Sequence, residues 1–144
     1  MTDRAALRPI SELPGGDPAL MNSLAWNRRW SDRQGSAEYA KNAFKTAQSG
    51  SGRRSKTQQG MALRTLAWHA RWHGALDDAM SHALNAETCL SESEHPETRA
   101  FLYAILGSVH FARNRFDLAN ASVERGFWLL TDHVEEDVAG ALTE

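Results

Sequence analysis

From Pro18 to Asp132 apolar residues return every three or four positions, as in Leu20 and Leu24, then Leu63, Leu66, Ala67 and Ala70, then Leu102, Ile105, Leu106 and Val109. That spacing lays them along one stripe of a 3.6-residue helix, and no segment shows the two-residue alternation of a half-buried strand. Breakers fall between the stripes: Gln34-Gly35-Ser36, Ser49-Gly50-Ser51-Gly52, His73-Gly74, Glu94-His95-Pro96 and Asn114-Arg115. The pattern predicts helices at about 18–33, 36–48, 54–73, 75–92, 97–113 and 115–131, each ending where the backbone can leave helical geometry. Asp17-Pro18 makes a start signal, with a capping acceptor followed by a ring that presets φ. Residues 1–17, with Pro9, Pro14, Gly15 and Gly16, read as an irregular lead-in. Ser49 to Lys56 reads as a flexible loop, and residues 133–144 as a short capping helix or tail beginning near His133.

A repeat organises these elements. Leu24-Ala25-Trp26-Asn27-Arg28-Arg29-Trp30 recurs 42 residues later as Leu66-Ala67-Trp68-His69-Ala70-Arg71-Trp72, with five of seven positions identical and both tryptophans in register. Leu106-Gly107-Ser108-Val109-His110-Phe111-Ala112 keeps the leucine and the small residue and loses the tryptophans. In the alternate helices Ala40, Ala79 and Ala119 are each followed seven residues later by Ala47, Ala86 and Gly126. Self-similarity at this period predicts an array of helical hairpins, in three units at about 18–49, 54–93 and 97–131 of one domain spanning 18–132. The small residues let paired helices approach closely, and the leucines fill the space between hairpins.

Leu106-Gly107 followed by Asn114-Arg115-Phe116-Asp117-Leu118-Ala119, together with Gly74-Ala75-Leu76-Asp77-Asp78-Ala79, resembles the Leu-Gly and Gly-x-Tyr-x-x-Ala elements of the tetratricopeptide repeat family. The resemblance covers about residues 18–131. It departs from the family in a period near 40 in place of about 34, in lacking the closing proline of most units, and in Arg28 or His110 where an aromatic is usual. It implies an all-α fold, a right-handed α-α superhelix whose partners lie in a groove lined by the first helix of each pair. Residue by residue, that groove would hold Asn22, Trp26, Arg29 and Trp30, then Arg64, Trp68, Arg71 and Trp72, then Phe101, Ser108 and Phe111. The Leu-Ala-Trp-x-x-Arg wording is also similar to helical repeats preceding the output domains of bacterial signalling proteins such as diguanylate cyclases. No cyclase motif accompanies it here.

Spacing points to the same residues, since Trp26, Arg29 and Trp30, like Arg64, Trp68, Arg71 and Trp72, share a face at three- and four-residue offsets. Guanidinium alternating with indole suits an anionic or aromatic peptide segment, because arginine binds carboxylates bidentately and tryptophan supplies buried area. The alternative is that the tryptophans pack between neighbouring first helices with the arginines stacked on them. His69 and His73 stand one turn apart with His110 in the next unit, but the segment lacks a glutamate and carries Arg71, so no metal is expected.

A chain of 144 residues, 42% hydrophobic and 24% charged, fits one ordinary globular domain. Cys89 is the single cysteine, which excludes an intrachain disulfide and a thiolate cluster and reads as an apolar filler. The net charge of −2 hides an asymmetry: residues 1–76 carry 12 basic and 5 acidic side chains, residues 77–144 carry 4 and 13. Such polarity suits head-to-tail association or an acidic partner for the basic end, and equally an uneven but solvated surface. Arg53, Arg54 and Lys56 form a small basic cluster, but a pI near 6.3 argues against nucleic acid. With no signal segment, no membrane-length apolar run, no phosphate loop and no nucleophile motif, the chain reads as cytoplasmic, without membrane contact, without a cofactor and not an enzyme. The expected function is protein or peptide binding; the alternatives are a self-associating platform for a signalling protein and a sensor for a small ligand held between the tryptophans.

Overall fold

Two local closures recur forty residues apart and define the hairpins. Gly74 (φ 76°) and Asn114 (φ 59°) both sit in the left-handed region, which glycine reaches freely and asparagine with little strain. At each, the next residue's N–H bonds back across five residues, Ala75 to Ala70 O at 2.9 Å and Arg115 to His110 O at 2.8 Å. These bonds satisfy carbonyls that a helix C-terminus leaves open and reverse the chain within three residues.

The computed structural model describes the backbone of residues 17–143 and the side chains of residues 17–131. Its six helices are α1 (Pro18–Asn27), α2 (Arg33–Gln48), α3 (Gly52–Trp72), α4 (Leu76–Cys89), α5 (Pro96–Ala112) and α6 (Phe116–Thr143), and no strand occurs among the described residues. The fold is all-α. Each helix packs on the next, and the first helices of successive pairs also touch, α1 on α3 and α3 on α5. The expected lead-in, apart from Asp17, lies outside the described residues.

Three boundaries differ from expectation, each for a local reason. The first helix ends at Asn27, short of residue 33, because Asp32 caps α2 by accepting from Gly35 N–H at 3.0 Å. Gly35, read as a breaker, thus lies inside the first turn of α2, where an added Cβ would collide with that carboxylate. The loop expected from Ser49 to Lys56 shrinks to Ser49–Ser51: α3 starts at Gly52, whose φ of 87° turns the chain, and Ser55 Oγ donates to Ala47 O at the end of α2. Arg53, Arg54 and Lys56 therefore stand on the first turns of a helix. The last helix runs unbroken to Thr143, so no seventh helix begins at His133.

Close helix approach rests on small residues. Ala40, Ala79 and Ala119 are buried, as are Ala47, Ala86 and Gly126 seven residues on. Gly60 lies so near the end of α4 that a Cβ there would stand 2.6 Å from Leu90 Cγ. The largest cluster, including Leu63, Ala67, Trp68, Leu90, Leu102, Ile105 and Leu106, lies between the second and third pairs. Smaller clusters join α1, α2 and α3 through Met21, Ala43 and Ala62, and through Ala25, Tyr39 and Ala40 with Leu24 and Leu66 against them.

Two polar devices pin the array. Ser36 Oγ donates to Ala25 O at 2.6 Å, which uses its one hydroxyl proton, so the 2.8 Å contact to His69 must be a bond donated by Nε2–H. That fixes the neutral tautomer of a buried histidine and ties α1, α2 and α3 together. At the end of α4, Arg99 donates through Nη1 to Glu87 O and Leu90 O, both at 2.7 Å, and through Nη2 to Glu87 Oε1 at 3.0 Å, while Tyr103 OH donates to the same oxygen at 2.8 Å.

Candidate groove along the first helices

Helices α1, α3 and α5 bring most of the expected groove residues together, by a route different from the simple face that spacing suggests. Trp26 lies in the last turn of α1, but Arg29 and Trp30 lie in the turn that follows it, folded back toward α3. Trp30 meets Trp68 edge-on at 4.9 Å and Trp72 at 5.2 Å, and Trp68 lies 5.7 Å from Trp72. Trp68 is buried beneath this cluster, whereas Trp30 and Trp72 are more than half exposed. The cluster is thus both core and surface: one indole anchors two that face solvent.

Around Trp26 the arrangement is cationic. The guanidinium carbons of Arg29 and Arg64 lie 3.8 and 3.9 Å from its ring centre. Two planar groups cannot share one face at that distance, so they bracket the indole, which gains cation–π attraction from both. Arg29 also donates through Nη1 to Trp26 O at 2.7 Å, and Phe101 from α5 meets Trp26 edge-on at 5.0 Å. Burial, then the neighbouring charge of Arg29, pulls Arg64 down to a pKa of about 10, and burial lowers Arg29; at pH 7 Arg64 keeps its charge.

Two hollows flank this stack. One, about 290 Å³, is lined by Asn22, Trp26, Gln58 and Arg64 among others. Asn22 is buried and donates through Nδ2 to Gln58 O at 2.9 Å and Gln58 Oε1 at 3.0 Å. This leaves Asn22 Oδ1, together with Nε of Arg29 and of Arg64, buried with no hydrogen-bond partner among the described residues. The other hollow, also about 290 Å³, is lined by Trp68, Arg71, Trp72, Ala104, Ile105 and Ser108. Here Arg71 Nε donates to Ser108 Oγ at 2.9 Å, and Ser108 passes its own proton to Ile105 O at 2.8 Å.

Phe111 is the exception among the expected residues. It is exposed and meets Phe116 edge-on at 5.3 Å across the α5–α6 turn, away from both hollows. Gln58, which the repeat does not mark, joins the site because the register of α1 on α3 sets it beside Asn22. The histidines do not converge: His69 is turned to Ser36, His73 is exposed, and His110 has a buried Nδ1 without a partner. Among the described residues no three His, Cys, Asp or Glu side chains form a group that could hold a metal ion, and no helix is long and apolar enough to cross a membrane.

Ion pairs reach only some of the arginines, and Arg33, Arg54 and Arg115 outside the groove have none among the described residues. Arg53, Arg99, Arg113 and Arg125 all have carboxylate partners. Arg29, Arg64 and Arg71 have no carboxylate ion pair among the described residues. No protein-family model, curated protein or solved structure matches the chain.

Proposed function

We propose that the chain is a non-catalytic interaction module, three hairpins wound into a right-handed superhelix of the tetratricopeptide kind, whose groove along α1, α3 and α5 grips a partner protein segment carrying carboxylates and apolar side chains. The observation that carries this reading is the set of three arginines without acid partners beside exposed indoles. Arg29 and Arg64, stacked on Trp26, and Arg71, held by Ser108, are positioned without an internal carboxylate, so the donors not spent on Trp26 O and Ser108 stay available to a ligand. Arg29 and Arg64 already repel each other across Trp26, so an incoming anion relieves a like-charge contact as well as forming new bonds. Asn22 Oδ1, buried without a donor, adds a point where a backbone N–H of the ligand would be welcome. Trp30 and Trp72 supply the desolvated contact typical of binding hot spots.

The similarity of the Leu-Ala-Trp-x-x-Arg segments to repeats preceding output domains supports a role as the docking or regulatory region of a signalling protein. The test uses a labelled peptide of alternating Glu and Leu as probe. Replacing Arg64 and Arg71 together by Gln, which keeps size and polarity, should weaken binding about tenfold at low salt and flatten its salt dependence. Unchanged affinity at low and high salt alike would remove the assignment.

A further inference from the structure

We propose that the open end of the array, the groove between α5 and α6, receives α1 of a second copy of this chain, so that molecules stack head to tail. The repeat itself indicates what that groove is for. Within one molecule, α3 lies on the first pair and covers Met21 and Ala43 with its Ala62. In the same way α5 lies on the second pair and seals Ala83, Ala86 and Leu90, which are 0%, 0% and 2% exposed. Forty residues on stand Val123, Gly126 and Leu130. There Val123 is 43% and Leu130 40% exposed, and Phe127 beside them is 67% exposed. These residues, with Ala100 and Phe101 of α5, line a hollow of about 470 Å³. The third pair thus presents the face that each earlier pair buries under a first helix.

Among the described residues, α1 is the one first helix with no helical pair packed against its outer side. Leu20 in α1 stands 42 residues before Ala62, the residue with which α3 closes on the pair before it. Ala62 is fully covered; Leu20 is 40% exposed. Charge gives the orientation. Residues 17–51 hold five basic and three acidic side chains, while residues 96–144 hold four and eight. Opposite ends attract, and two tails repel, which favours head to tail over tail to tail. Such a contact is heterologous, so assembly continues past the dimer instead of closing at two.

The test is sedimentation or light scattering of the full chain from roughly 1 μM to roughly 1 mM. The wild type should gain mass continuously beyond the dimer, less so at high salt. Leu20→Glu and Phe127→Glu, both at exposed positions, should each be monomeric with unchanged helical circular dichroism. Mixed in equal amounts they should form a dimer that grows no further, since one supplies an intact tail and the other an intact head. Val123→Lys serves as a second tail variant with the same expectation. A wild type that stays monomeric throughout overturns the proposal. So does association abolished by Phe127→Glu but indifferent to Leu20→Glu, which would mark a tail-to-tail contact, and so does association that both variants leave intact.

Discussion

Acidification should loosen the joint between the first and second pairs through His69. The side chain is 5% exposed, donates its Nε2 proton to Ser36, and has its pKa pushed down to about 4 by burial, with His73, Arg33 and Lys41 adding to the effect. In the unfolded chain the same group titrates near 6.5. Between these values the unfolded state binds a proton that the folded state refuses, so stability falls as pH drops through this window and is retained in full above it. Integrating the two titrations from neutral pH to pH about 4.5 gives a loss of up to about 2.5 kcal/mol from this residue alone. His69→Gln keeps an amide donor for Ser36 and removes the titration. Urea unfolding of both proteins at several pH values between about 7.5 and 4.5 isolates the term as a difference, because every other titrating group, including the partly buried His82, is common to both. The wild-type curve should fall more steeply than the variant's by about 2 kcal/mol. Parallel curves would refute the buried, neutral His69.

Two further substitutions probe the packing. Gly60→Ala places a methyl group 2.6 Å from Leu90 Cγ and 3.0 Å from Cys89 Cβ, so α3 and the end of α4 must separate, at a cost of about 1–3 kcal/mol by chemical denaturation; an unchanged midpoint would show that the helices are not in such close contact. Arg99→Met keeps the stem but strips the donors from the carbonyls of Glu87 and Leu90 and from Glu87 Oε1, and should cost about 2–3 kcal/mol, with faster amide exchange near Cys89; a stability equal to the wild type would mean that water serves those carbonyls as well.

The helix positions were legible because burial in a paired array forces three- and four-residue spacing, and the hairpin reversals because Gly74 and Asn114 are the residue types that reach positive φ. The alanine and glycine repeats were legible for a related reason: close approach admits only small side chains. Local competition was harder to read. Asp32 captures the N–H of Gly35 and so moves a boundary, an outcome set by three residues whose composition equally suits a breaker. Contacts that depend on register were not legible. Gln58 meets Asn22, and Ser36 meets His69, across 36 and 33 residues; nothing in either segment marks its partner. Phe111 belongs to the repeat by alignment, yet its ring finds Phe116 because the turn brings a second aromatic nearer than the groove. Most of the residues that meet along α1, α3 and α5 stand in the repeat, while the hollows beside them and the arginines' lack of carboxylate partners required the coordinates.

The five tryptophans offer the most direct test of the proposed recognition, because Trp26, Trp68 and Trp72 line the two hollows, Trp30 packs on Trp68 and Trp72, and Trp128 lies on α6 away from them. Their indole N–H resonances can be assigned by single Trp→Phe substitutions and followed by NMR during titration with the Glu-Leu peptide and with its Gln-Leu counterpart. The account predicts that the acidic peptide shifts the four groove signals and leaves Trp128 in place, while the neutral peptide moves them far less at equal concentration. Shifts confined to Trp128, or equal responses to the two peptides, would contradict it.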